Sequence, residues 1–184
     1  MSRTIEYLPP ERWKGTPIPL EYTSETYYDV AVNRTAQGYD IPIVKRRFEA
    51  PVTHTQEEWG FPDGLYADWC DNAEAYGIVE DGELLAVIEV CPEEWSKRMT
   101  VPELWIAPKL RGQGWGRRLM ELAQAKTVAG GYRALILETQ SCNVNAVDFY
   151  RHMGFELIGF DTCCYSNDDI GKKEVRLNLG YFFP

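Results

Sequence analysis

Ile106-Ala-Pro-Lys-Leu-Arg-Gly-Gln-Gly-Trp-Gly-Arg117 places glycines at 112, 114 and 116 between an apolar stretch and a segment of helical spacing. Downstream, Leu119, Leu122 and Ala123, with Val128 one turn on, predict an apolar helical stripe that Gly130-Gly131 ends. Glycines let a backbone approach a phosphate closely, and a helix start offers unpaired N–H groups and the positive end of the helix dipole. Arg111, Arg117 and Arg118 add positive charge. Two nucleotide motifs do not fit. The glycines lack the GxGxxG spacing of a dinucleotide fingerprint, and Gly116 is followed by Arg117-Arg118 where a P-loop needs Lys-Ser/Thr. An anion site at a helix start remains, with a plain turn as the alternative that glycine content alone leaves open.

Working outward, Ala75 to Val79 and Leu84 to Cys91 read as strands joined by a hairpin at Glu80-Asp81-Gly82-Glu83. Thr100 to Ala107 reads as a further strand, in which Pro102 requires a bulge. Ala134 to Leu137 suits a buried strand. Asn143 caps a helix running to about Met153, closed by Gly154. Phe155 to Phe160 and Val175 to Phe182 complete a mixed α/β pattern around one central sheet. Glu57 to Ala75 reads as part helix and part loop. The first fifty residues, punctuated by Pro9, Pro10, Pro17, Pro19 and Pro42, yield no assignment.

The chain has 184 residues, 45% hydrophobic, and no apolar run approaching the roughly 18 residues of a membrane helix. The start, MSRTIEYLPPERW, lacks the apolar core of a secretory signal, so a cytoplasmic location is expected. Five cysteines without a CxxC pair suggest reduced thiols. Cys142, Cys163 and Cys164 are expected to be small packed residues rather than nucleophiles. His54 and His152, the only imidazoles, argue against a histidine-rich metal site and are expected to be structural or surface residues. A net charge of −9 argues against nucleic acid as the partner, and nothing suggests a membrane. Charge is segregated along the chain. Glu49 to Glu94 holds thirteen carboxylates and no Lys or Arg, whereas Lys97 to Arg133 holds eight basic residues against Glu103 and Glu121. That pattern fits either a solubilising acidic face or a cationic substrate beside an anionic cofactor. For the second, Trp59, Tyr66 and Trp69 offer cation-π faces, and Asp63, Asp68 and Asp71 offer charge.

Arg111, Gly114 and Gly116 match the Q/R-x-x-G-x-G/A pattern of the GNAT superfamily of acetyltransferases, which the segment from about Val101 to Phe160 resembles. Asn143-Val-Asn-Ala-Val-Asp-Phe-Tyr-Arg-His-Met-Gly-Phe155 is similar to that family's N-x-x-A-x-x-F-Y-x-x-x-G-F helix. Leu137-Glu-Thr-Gln140, Asp161-Thr162 and Tyr165, and less specifically Ile43 to Arg47, resemble the streptothricin acetyltransferase group within it. The resemblance implies a single α/β GNAT-like domain over 1–184, with a mixed central sheet splayed at the acetyl-CoA site and flanked by helices. Residues 1–95 would be mainly the substrate side, 96–160 the acetyl-CoA-binding core and 161–184 the C-terminal strands.

The activity implied is direct attack of a primary amine of a cationic small molecule on the thioester of acetyl-CoA, with no metal. Streptothricin is the expected acceptor. A polyamine, aminoglycoside or protein lysine is the alternative, as is an acyl-CoA-binding regulator without turnover. By position, Leu104, Trp105 and Ile106 would line the pantetheine arm. Arg111, Gly112, Gln113, Gly114, Trp115, Gly116 and Arg117 would cradle the pyrophosphate, and Asn143 would touch the coenzyme. Tyr150 is expected as general acid toward the departing thiolate. Glu103 or Glu138 is expected as base, each equally a candidate to bind the cationic substrate. A homodimer stands open.

Overall fold

The computed structural model describes residues 3–55 and 64–183. Its elements begin with β1 (Glu6–Leu8), α1 (Pro10–Trp13), β2 (Glu21–Val30), β3 (Asn33–Thr35), β4 (Gly38–Asp40), β5 (Ile43–Thr55), β6 (Glu74–Glu80) and β7 (Glu83–Glu93). They continue through β8 (Arg98–Val101), β9 (Leu104–Ile106), α2 (Trp115–Ala129), β10 (Ala134–Gln140), α3 (Val144–His152), β11 (Glu156–Asp161), α4 (Asp169–Lys172) and β12 (Arg176–Phe182). Contacts divide them into two units: 1–20, 61–137 and 180–184, and 21–60 with 138–179.

In the first unit the hairpin expected from sequence forms as β6 and β7, paired from Glu74↔Val90 to Glu80↔Glu83. Asp81 and Gly82 turn it with φ of 51° and 84°, the positive pair that a tight antiparallel connection needs. β1 adds antiparallel to β6, while β8 and β10 run parallel from Ala134↔Arg98 to Leu137↔Val101, so the sheet is mixed. One face packs on α2 through Leu119, Met120 and Ala123. The other holds Leu8, Trp13, Ile18, Leu65, Tyr66 and Val87.

Three expectations are corrected in this unit. Val128 is exposed, and Thr127 takes the buried place in the stripe, donating its hydroxyl to the Ala123 carbonyl at 2.7 Å. Nine residues past Leu119 is about 180° round a helix, so Val128 must point away. The single strand from Thr100 to Ala107 is two strands, because Pro102 has no N–H for the ladder and the chain breaks there. No helix forms over residues 64–73, which run in turns to β6; the rest of the segment read as part helix, with Trp59 and Asp63, lies outside the described residues.

Charge and thiols also differ from expectation. Asp68, Glu74, Glu80, Glu83, Glu93 and Glu94 of the acidic span pair with Lys14, Lys126, Arg3, Lys109, Arg98 and Lys97. Six of the span's thirteen carboxylates thus meet a base among the described residues. Cys70 and Cys91, expected as thiols, form a disulfide with Cα atoms 6.0 Å apart. The β6–β7 hairpin sets Glu74 opposite Val90 and so returns Cys91 to the side of Cys70, 21 residues earlier.

The second unit is built on a long antiparallel ribbon, β2 with β5, from Glu21↔Thr55 to Val30↔Ile43 with a bulge between Ser24 and Thr26. β3 and β4 extend it as an exposed hairpin. α3 lies on β2, and Val30, Val147, Val175 and Leu177 make the core, sealed by Tyr28, Ile43, Phe160 and Ile170. Lys45 and Tyr28 reach Asp148 of α3 at 2.7 and 2.8 Å, tying ribbon to helix. Cys142 is buried as expected; Cys163 and Cys164 are not, because they sit on an exposed loop after β11. His54 is buried 3.3 Å from Glu174, and His152 sits on the surface against the Asp148 carbonyl. Among the described residues no helix is long and apolar enough to cross a membrane.

Candidate active site

The glycine-rich turn takes the form its sequence requires. After Ala107 a short 3-10 turn, Pro108–Leu110, buries Leu110 and delivers the chain to Arg111. Gly112 and Gly114 hold φ of 72° and 82°, left-handed values that an L side chain adopts only with strain. A Cβ at either would meet nothing within 4 Å, so the backbone borders open space at both positions. Gly114 is the residue before α2 and supplies no side-chain cap, leaving the first N–H groups of the helix for an external acceptor. Cationic side chains surround this start. Arg111 is steadied by donation from Nε to the Ile106 carbonyl at 3.1 Å, and Gln113 donates to the Lys109 carbonyl at 2.8 Å. Arg118 lies 4.6 Å over the Trp115 ring, and Arg117 pairs with Glu121. Free N–H groups, a helix dipole and arginines suit a pyrophosphate.

β9 supplies a second feature. Among the described residues it pairs with β7 alone. The Glu103 carbonyl accepts from the Glu89 N–H, and the Ala107 N–H donates to the Leu85 carbonyl. Backbone groups alternate in direction along an antiparallel strand, so 103, 105 and 107 turn theirs toward β7. Leu104 turns its groups to the other edge, and so does Ile106, whose carbonyl is held by Arg111 while its N–H faces the direction an extended amide-bearing arm would need. Trp105 is turned the other way, and its indole Nε1 donates to the Pro19 carbonyl at 3.0 Å.

Glu103 occupies the break between β8 and β9, with 9% of its surface exposed. The first unit thus brings together Glu103, residues 104–106 and residues 111–117. The second unit holds the remaining candidates. Asn143 caps α3, its Oδ1 accepting from the Ala146 N–H at 3.3 Å. Tyr150 is buried on α3, its ring 5.4 Å from Phe149 and 5.9 Å from Phe155. Glu138 is ion-paired with Arg176, so its charge is already met. The exposed thiol of Cys163 is raised above its ordinary range by its hydrogen bond with Asp161, and burial raises Cys164. Neither favours a thiolate.

Sequence reasoning passed over Glu89. It is 1% exposed in β7, its Oε1 accepts the Tyr66 N–H at 2.7 Å, and burial pushes its carboxyl up to about 7. The available signal was one acid inside Leu84-Leu-Ala-Val-Ile-Glu-Val-Cys91, a run otherwise apolar.

With this geometry, the model of the acetyltransferase (GNAT) family matches residues 44–155. A streptothricin acetyltransferase of Streptomyces lavendulae is 33% identical over 152 residues, covering 78% of this chain and 76% of that protein. The crystal structure of nourseothricin acetyltransferase aligns over 100% of both chains with a TM-score of 0.76 and 27% identity. A Bacillus anthracis structure in complex with acetyl coenzyme A aligns over 100% of this chain and 99% of its own, with TM-score 0.71 and 19% identity, and speaks to the fold alone.

Proposed function

The chain belongs to the GNAT family of acetyltransferases, and from that premise we propose that it N-acetylates a primary amine of streptothricin in the cytoplasm. The observation that carries the reading is the likeness to nourseothricin acetyltransferase along the entire length of both chains, the β2–β5 ribbon included. The family's shared cofactor segment alone would not single out an acceptor. We read 1–184 as one functional domain, with residues 1–95 serving mainly the acceptor and 96–160 the coenzyme.

Bound acetyl-CoA supplies the acetyl group as a thioester. Residues 111–117 hold its pyrophosphate through N–H groups and arginines, Leu104 and Ile106 offer backbone groups to the pantetheine arm, and Asn143 assists from the start of α3. Glu103 takes the proton released by the acceptor ammonium, directly or through water. The freed nitrogen lone pair forms the C–N bond as the C–S bond breaks. Tyr150 gives its phenolic proton to the departing sulfur and recovers one from the acylated nitrogen, which sheds its second proton. Glu103 is preferred to Glu138 as base because Arg176 already meets the charge of Glu138.

Thiol release from acetyl-CoA with streptothricin, spermidine, an aminoglycoside and a lysine peptide tests this. Streptothricin is expected to have the highest kcat/KM. At saturating acetyl-CoA its advantage over neutral amines is expected to fall as salt rises, since exposed charges are screened over about 8 Å at physiological ionic strength. Preference for another amine rejects the streptothricin assignment and leaves the acetyltransferase. No turnover with any amine favours an acyl-CoA-binding regulator.

A further inference from the structure

Glu89 is a buried carboxylate on the central sheet, of which the Tyr66 N–H engages a single oxygen. Its N–H donates to the Glu103 carbonyl at 2.9 Å, so the two residues face each other across the antiparallel ladder. Directly opposed side chains share a face, with Cβ atoms about 4.5–5.5 Å apart. Both residues are buried, at 1% and 9% exposure.

The surroundings of Glu89 are specific. β6 places Ala75 opposite it. Val87 precedes it and Cys91 follows it on the same face, and Cys91 is bonded to Cys70 and does not titrate. From the turn segment, Tyr66 holds a left-handed backbone, φ 59°, while donating its N–H to the Glu89 carboxylate. A bulky residue held there is strained, and the carboxylate is what its N–H meets. The Tyr66 phenol donates to the Leu8 carbonyl and accepts from the Ala75 N–H, and burial raises it, so it stays neutral. Among the described residues, the titratable side chains on this face beside Glu89 are Glu103, opposite it in the ladder, and the neutral Tyr66 phenol. No cation pairs with Glu89 among the described residues.

We propose that Glu89 is a positioning residue for deprotonation of the acceptor amine, forming with Glu103 a buried carboxylate pair that shares one proton. The proposal rests on the reading of Glu103 as base. The pair enters the reaction fully ionised and takes one proton from the acceptor ammonium onto Glu103. The nitrogen lone pair so freed forms the bond to the acetyl carbon as the C–S bond breaks, the nitrogen's second proton replaces the one Tyr150 gives to sulfur, and the pair returns its proton to water after the product leaves. Two neighbouring carboxylates resist ionising together, which makes the ionised pair a stronger base than a lone glutamate. Burial by itself already pushes the Glu89 carboxyl up to about 7, against the lowering effect of the Tyr66 N–H.

The test is the pH dependence of kcat/KM for the acceptor at saturating acetyl-CoA, in wild type, Glu103→Gln and Glu89→Gln. Glu103→Gln is expected to lose about 100-fold in rate. Glu89→Gln keeps an acceptor for the Tyr66 N–H and is expected to leave the KM for acetyl-CoA unchanged. Its acid limb should move about one unit to lower pH, because removing the second carboxylate lowers the proton affinity of Glu103, and its plateau should fall severalfold. An unmoved limb in Glu89→Gln beside an inactive Glu103→Gln overturns the proposal and spares the base. A fully active Glu103→Gln overturns both. Should Glu89→Gln fail to fold, carbon NMR titration of Glu89 in wild type and Glu103→Gln decides, with an unchanged midpoint overturning the proposal.

Discussion

Tyr150→Phe is expected to lower kcat by about 100-fold while leaving the affinity for acetyl-CoA within about twofold of wild type. The substitution isolates one hydroxyl. The ring is buried between Phe149 and Phe155 on α3, and phenylalanine fills the same volume in the same rotamer. Fold and coenzyme binding should therefore survive, and what disappears is a proton donor that matters when sulfur gains charge. An interaction made only in the transition state appears in kcat rather than in binding. The check is steady-state kinetics under conditions where chemistry limits turnover, beside calorimetry for acetyl-CoA. Unchanged kcat would make Tyr150 a packing residue.

The second large effect concerns the turn before α2. Gly114→Asp is expected to weaken acetyl-CoA about 100-fold, or about 2.8 kcal/mol. Nothing lies within 4 Å of a Cβ at this position, so the new side chain enters the open space without displacing protein atoms. It sets a carboxylate where the pyrophosphate is expected, beside N–H groups it would itself engage. Strain arises as well, since φ is 82°. Gly114→Ala carries comparable backbone strain without charge, so the difference between the variants measures repulsion. Calorimetry showing wild-type affinity in a folded Gly114→Asp would remove the pyrophosphate from this turn.

Much of the fold was legible where one short segment contains its own instruction. The β6–β7 hairpin announces itself through Asp81-Gly82, α3 through Asn143 and Gly154, and the start of α2 through alternating glycines. The β2–β5 ribbon was not legible. Its faces are mostly exposed or half-buried, so no alternation of apolar and polar residues marks it, and its pairing joins residues such as Glu21 and Thr55 that are far apart in sequence. The same reason hid the pairing of Glu80 with Arg3, Asp68 with Lys14 and Glu74 with Lys126. Among candidate site residues, the glycine turn and Glu103 could be named because they sit in a local pattern. Glu89 could not, because its meaning depends on which residue the ladder sets opposite it.

The pairing of acidic and basic spans also bears on how the chain reaches its fold. Glu80 meets Arg3, Asp68 meets Lys14 and Glu74 meets Lys126, contacts spanning 77, 54 and 52 residues. Before folding, Glu74 and Lys126 belong to an acidic and a basic block strung along one polymer, and Arg3 and Lys14 precede the acidic block, so opposite charges attract across the loops between them. Such a chain is drawn in on itself before any strand is paired, with the hairpin block pulled toward the α2 block. Salt weakens that attraction in the unfolded ensemble, while in the native state exposed pairs contribute only about 0–1 kcal/mol each. Refolding should accordingly slow with rising ionic strength more than unfolding accelerates, a kinetic signature written by the order of charges rather than by their sum.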